Sequence, residues 1–224
     1  MTKKRSARAG LLACACSLSV GLVAGASPAG AKTKTKMKTA TFNQCVSTAT
    51  AIPDGIPMGS TEPNPAGSFA VHVNVPKFKG KRQDGVVTGV DSVGVRISHD
   101  DDGDLLLFLV SPGGRAIALS TYRDQSTDNS GNGYGAGPAN CSGSLVSFGD
   151  ASAGSITTPG NTGNGTPITG SFRPEQPLST FGGGPARGFW TLIVYDNFRN
   201  DVGQINALSL DLTYRYRTKA KRKK

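Results

Sequence analysis

The 224-residue chain has two histidines, one tryptophan and four cysteines, and each scarcity removes a class of function. Histidine is the most restrictive of the three. A serine hydrolase needs an imidazole beside its nucleophile and an acid to orient it, so the candidates reduce to His72 and His99. His72 alternates with Phe69, Val71, Val73 and Val75 in FAVHVNV, which places it on the solvent face of a strand. His99 stands at a strand end beside four aspartates, where a structural hydrogen bond is expected rather than base catalysis. No serine has the Gly-x-Ser-x-Gly frame of a nucleophile elbow, and Ser142-Gly143-Ser144 after Cys141 lacks it. The chain is expected not to be an enzyme.

Long apolar runs are absent too. The longest, residues 11–23, is too short and too glycine-rich for a permanent membrane anchor. Preceded by Lys3, Lys4, Arg5 and Arg8 and followed by Ala29-Gly30-Ala31, it reads as a secretory signal peptide over residues 1–31, with Ala24-Gly25-Ala26 as the alternative cut. A secreted, extracellular protein is expected. Cys14 and Cys16 lie inside this signal; acylation of Cys14 as a lipoprotein would need a longer apolar stretch before it. Cys45 and Cys141 then remain as a lone pair in an oxidising compartment, and a disulfide between them is expected, the alternative being two free thiols.

Charge is uneven. The whole chain is +10, but without the four signal bases it falls to +6, and eleven of the remaining cations sit at its two ends. These are Lys32, Lys34, Lys36 and Lys38, then Arg215, Arg217, Lys219, Lys221, Arg222, Lys223 and Lys224. The body between them is near −5. Residues 32–50 read as a basic linker and 215–224 as a basic tail, able to hold an exported protein to anionic cell-envelope polymers. The alternative is a solvated end that aids solubility. Aromatics interleave with the bases only at Tyr214 and Tyr216, so sequence-specific nucleic-acid reading is not expected.

Between the ends, 30 glycines and 13 prolines punctuate runs rich in valine and leucine, which predicts one turn-rich all-β domain. Strands are predicted near residues 68–75, 89–98, 105–110, 115–120, 190–196 and 207–215, with a further short one at 144–148. Residues 190–196 form a continuous β-branched, aromatic and leucine run, the pattern of a central strand. Leu208, Leu210, Leu212 and Tyr214 alternate, leaving that strand one wet face. The two are read as adjacent strands that carry a buried Trp190. Exposed, Trp190 would instead suit a sugar platform, but its apolar strand argues for burial. Residues 124–167 are a long Gly, Ser, Asn and Thr-rich loop.

Three blocks carry a family resemblance. In VGVRISHDDDGDLLLFLVSPGG the pattern rests on His99, Asp104, Leu105 and the turn Ser111, Pro112, Gly113. In ITGSFRPEQPLSTFGGGPARGFWTLIVYD it rests on Gly170, Phe172, Arg173, Pro174, Leu178, Phe181, Gly188, Trp190, Leu192 and Asp196. The third block is DVGQINALSLDL, with Ile205 and Ala207 where leucine and tryptophan are usual. Over about residues 51–214 the chain resembles the P domain, or Homo B domain, that follows the catalytic domain in furin, kexin and bacterial subtilisin-like convertases. The resemblance implies a jelly-roll β-sandwich of about eight strands, galactose-binding-domain-like, without a protease domain before it in this chain.

The resemblance also implies calcium. The turn Asp100, Asp101, Asp102, Gly103, Asp104 packs carboxylates so closely that a hard cation would relieve their repulsion, although no glutamate completes an EF-hand. Asp196, Asn200 and Asp201 make a second oxygen-rich turn. Asp104 and Asp196 match the family pattern directly, and Asp100, Asp102 and Asp201 extend the expected ligand set. The alternative is a solvated acidic turn in which Asp104 accepts backbone hydrogen bonds. In function, the resemblance implies an accessory or regulatory module for a separate subtilisin-like serine endopeptidase. The alternatives are a wall-binding adhesion module tethered by its basic ends, and a descendant of such an endopeptidase without catalytic residues.

Overall fold

The computed structural model describes residues 33–46, 51–55, 63, 67–77, 85–121, 133–157 and 166–219. The signal segment expected over residues 1–31, and the tail beyond Lys219, lie outside them. Over the described residues the fold is all-β, two sheets packed face to face with eleven strands rather than about eight. In chain order these are β1 Thr33–Cys45, β2 Ala51–Ile52, β3 Ser68–Val75, β4 Val86–His99, β5 Leu105–Val110, β6 Ala116–Thr121, β7 Val146–Phe148, β8 Gly154–Ser155, β9 Ser171–Arg173, β10 Gly188–Asp196 and β11 Gly203–Lys219. The larger sheet runs β1-β11-β4-β7-β9-β8, with β2 also on β11, and the smaller runs β3-β10-β5-β6. Most pairs are antiparallel; β9 lies parallel to both β7 and β8.

Alternation decides which side chains fill the interior. From the small sheet come Val71, Val73 and Val75, then Leu105, Leu107 and Leu109, then Ile117 and Leu119, then Trp190, Leu192 and Val194. Opposite them stand Leu208, Leu210, Leu212 and Tyr214 of β11, with Val87, Val90, Val93, Val95 and Ile97 of β4. The uneven spacing along β4 has a cause. The β4 and β11 pairing shifts register at three points, between Ile205 and Ala207, between Asp211 and Leu212 and between Thr213 and Tyr214, and each bulge turns the next side chain back to the core. Ile205 and Ala207 are both buried, so the missing aromatic is accommodated by smaller groups.

Two expectations are corrected here. The last two long strands are not partners: β10 pairs with β3 and β5, while β11 pairs with β1, β2 and β4 in the other sheet. The segments read as basic linker and basic tail are strand as well. Residues 33–45 pair with residues 207–219 over thirteen consecutive positions. Alternating threonine suits a pleated surface, and β1 covers an edge of β11 that would otherwise present unpaired backbone groups.

Cys45, the last residue of β1, is bonded to Cys141, with their α-carbons 5.4 Å apart and a sequence separation of 96. Closing a loop of that length stabilises by on the order of 4 kcal/mol on the chain-entropy view. Part of the glycine-rich loop is thereby ordered. Tyr134 is fully buried, its hydroxyl donates to Ser120 Oγ at 2.8 Å, and its backbone bridges Ile97 and Ile168. Arg96 holds the same loop from inside. Its guanidinium donates to the carbonyls of Ile97 at 2.9 Å and Gly137 at 2.7 Å, so a buried cation replaces regular sheet as the loop's anchor.

Candidate metal centre

At one end of the sandwich two connections meet, the turn after β4 and the turn that joins β10 to β11. Burial forces the polar groups there to partner one another. His99, the last residue of β4, is 3% exposed. Its Nε2 lies 3.3 Å from Asp196 Oδ2, and its Nδ1 faces the Asp101 carbonyl at 2.5 Å. Asp196, the last residue of β10, is fully buried and uses its other oxygen to accept from the Phe198 amide at 3.0 Å. Gly203 opens β11 against this ring, and a Cβ there would stand 2.2 Å from His99 Cδ2. The glycine of DVGQI is required by close approach, not by turn geometry.

The aspartate run forms a single 3₁₀ turn, Asp102–Asp104, capped by Asp101, whose Oδ1 accepts from the Gly103 amide at 2.7 Å. In a 3₁₀ turn residues i and i+3 eclipse, and this brings Asp101 and Asp104 together. Asp201 joins them from the turn before β11, and carboxylate oxygens of Asp101, Asp104 and Asp201 all lie within 4.8 Å of one another.

Electrostatics agree with the crowding. Asp104 is 8% exposed, and its pKa is raised to about 7, first by burial and then by the charges of Asp101, Asp196 and Asp201, against the opposing pull of His99. Its Oδ2 is buried without a hydrogen-bond partner. The Asp201 carboxyl is raised too, by burial first and by Asp101 next. For His99, burial disfavours the charged ring, but the Asp196 hydrogen bond and charge, the Asp101 carbonyl and the Asp104 charge outweigh it, and its pKa is raised. The ring is thus held in place by neighbours that favour its protonated form.

The five expected ligands separate. Asp104 and Asp201 come together. Asp100 instead accepts from the Val202 amide at 3.4 Å, Asp196 is engaged by His99 and Phe198, and Asp102 is buried outside the trio. Asp101 joins the group without having been expected. The cause is the local turn, a 3₁₀ geometry that sets Asp101, not Asp100 or Asp102, beside Asp104. The donors fit a hard divalent cation: all are oxygens, their mutual repulsion is only partly offset by His99, and one is buried without a partner.

The other sequence-stated positions are equally specific. Trp190 is fully buried, which excludes an exposed sugar platform. His72 is exposed on β3, its Nδ1 2.8 Å from Thr191 Oγ1 and its ring edge-on to Phe189 at 5.8 Å. Among the described residues no helix is long and apolar enough to cross a membrane.

No protein-family description matches the chain, and no curated protein matches it. Solved structures do. Two are of a serine protease of Aeromonas sobria, one solved with its chaperone as a complex (TM-score 0.41) and one of the serine protease itself (TM-score 0.40). Both share 16% identity with this chain over 80% of its length, and the match spans 27% of each of those chains.

Proposed function

We propose that this protein is a secreted, non-catalytic P-domain-like module that binds and supports a separate subtilisin-like serine protease, with calcium held by Asp101, Asp104 and Asp201. The observation that carries the binding reading is a mismatch between strand composition and layer count. A strand buried on both faces reads as a continuous apolar run, and one with a wet face alternates. β5, LLLFLV, and the core of β10, WTLIVY, are continuous runs lying side by side. A two-layer sandwich gives each strand only one interior face.

The second face carries rows of apolar side chains across the small sheet. Ala70, Ile193 and Phe108 are aligned in one row by the register and are partly exposed, with Ala118 buried at its end, and the partly exposed Tyr195 lies beside the buried Leu106 in the next. Phe108 and Tyr195 pack edge to face at 5.9 Å. Phe189, on the same face, is 61% exposed. An apolar patch of this kind suits a protein partner more than bulk water. The sequence resemblance names the class of partner.

Aromatic anchors at such surfaces cost 2 kcal/mol or more when removed, about a thirtyfold loss in affinity. The secreted form of this protein, used to capture partners from the producing culture fluid, is expected to retain a subtilisin-like protease identified by mass spectrometry. Phe189→Asp, at a position exposed enough to spare the fold, is expected to reduce that yield about thirtyfold. Equal retention by both forms would refute the assignment of this face.

A further inference from the structure

The pairing of β1 with β11 turns two basic ends, more than 170 residues apart in sequence, into one object. β4 covers β11 only as far as the Val86 and Arg215 pair. Beyond it, β1 and β11 continue alone as a two-stranded ribbon to the Thr33 and Lys219 pair. Residues opposite each other in an antiparallel pair share a face. Lys34, Lys36 and Lys38 therefore share one face with Thr218, Tyr216 and Tyr214, while Arg215 and Arg217 stand on the other face opposite Met37 and Thr35. All five cations are exposed, and none forms an ion pair with a carboxylate among the described residues. No acidic residue occurs in 33–38 or 214–219.

We propose that this ribbon is a docking site for a linear, base-free phosphate polymer of the cell envelope, of the polyol-phosphate kind. Same-face cations along a strand repeat at about 6.6 Å, which suits a chain of regularly placed charges more than one isolated phosphate. Nucleic acid is disfavoured by the aromatics. Binding of single strands relies on exposed rings that stack on bases, but Tyr214 is 1% exposed, packed in the core, and Tyr216 is half-buried against it with ring centres 6.0 Å apart. The ribbon offers charge without a stacking platform. Its edge strand is also pinned, since the Cys45 and Cys141 bond fixes the far end of β1.

Counterion release sets the expected effect. Five contacts to a flexible polyanion give a slope of log affinity against log salt near −3.5, so binding falls about a hundredfold between 50 and 200 mM salt. The probe is purified poly(glycerol phosphate) teichoic acid, titrated against the secreted protein across that range, with a poly-dT oligonucleotide of matched charge in a parallel arm. The variant Lys34→Gln, Lys36→Gln, Arg215→Gln, Arg217→Gln, with residues 220–224 intact and an unchanged melting temperature, is expected to lose about a hundredfold in affinity at low salt and most of the slope. An arginine-for-lysine exchange at positions 34 and 36 is expected to retain both. Unchanged binding by the glutamine variant would overturn the site, and tighter binding of poly-dT than of the teichoic acid would overturn the base-free partner.

Discussion

Trp190→Ala lowers the melting temperature by roughly 6 to 20 °C. The indole is fully buried at the centre of the small sheet, between β3 and β5, and packs edge to face on Phe181 with ring centres 5.0 Å apart. Its Nε1 donates to the Ala186 carbonyl at 3.1 Å, and Ala186 is itself fully buried. Truncation removes the largest side chain of the core and leaves both a cavity and a buried acceptor without its donor. Tryptophan-to-alanine losses of this kind are about 3 to 5 kcal/mol, and in a domain of this size each kcal/mol moves the midpoint by about 2 to 4 °C. Calorimetry decides it, with Trp190→Phe as the milder companion that keeps the ring contact but not the hydrogen bond. A midpoint within 2 °C of wild type for the alanine variant would mean that the indole is not the keystone of the two sheets.

If Asp101, Asp104 and Asp201 hold calcium as proposed, the ion is expected to raise the melting temperature by about 5 to 10 °C at a hundredfold excess over its dissociation constant, and by more at pH 8 than at pH 5. The size follows from mass action, since such an excess adds about 2.7 kcal/mol to the folded state. The pH trend follows from the raised pKa values. A carboxyl whose folded pKa lies above its unfolded value holds more protons when folded, so its contribution to stability is present at low pH and is lost as pH rises. For Asp104, raised from 3.8 to about 7, that loss spans about pH 4 to 7. His99, also raised, loses its contribution as pH climbs above its usual range. The metal-free protein is therefore less stable at pH 8 than at pH 5. A cation that replaces the proton restores most where most was lost. Asp104→Asn is expected to flatten the pH trend without metal and to remove the calcium response. A calcium shift that persists undiminished in that variant would place the ion elsewhere.

Most of the sandwich was legible because its core strands obey simple periods. Ser68–Val75 and Leu105–Val110 fall where the patterns put them, and β10 and β11 differ from expectation only at their ends. Partnering was not legible, because composition marks a strand without naming its neighbour. Residues 190–196 and 207–215 follow each other closely in sequence yet occupy different sheets. The Lys-Thr segment reads as a solvated linker since none of its alternating residues is strongly apolar; it is a strand because β11 had an edge to cover. Within the site, His99, Asp104 and Asp201 were recognisable as polar groups at strand ends. Asp101 was not, because its role depends on a 3₁₀ turn that the sequence does not announce. Arg96 gave no signal either, since a basic residue within a strand reads as solvent-facing and only the fold shows the four backbone carbonyls around its guanidinium.

The proposed role is support of a separate protease by a non-catalytic chain. It is tested most directly by mixing the purified secreted protein with the subtilisin-like protease of the same organism and following the protease's half-life at a denaturing temperature. We predict a half-life lengthened severalfold by the wild-type protein, not by Phe189→Asp, with no peptidase activity in the protein alone. An unchanged half-life, or peptidase activity in a homogeneous preparation that a serine-directed inhibitor abolishes, would contradict it.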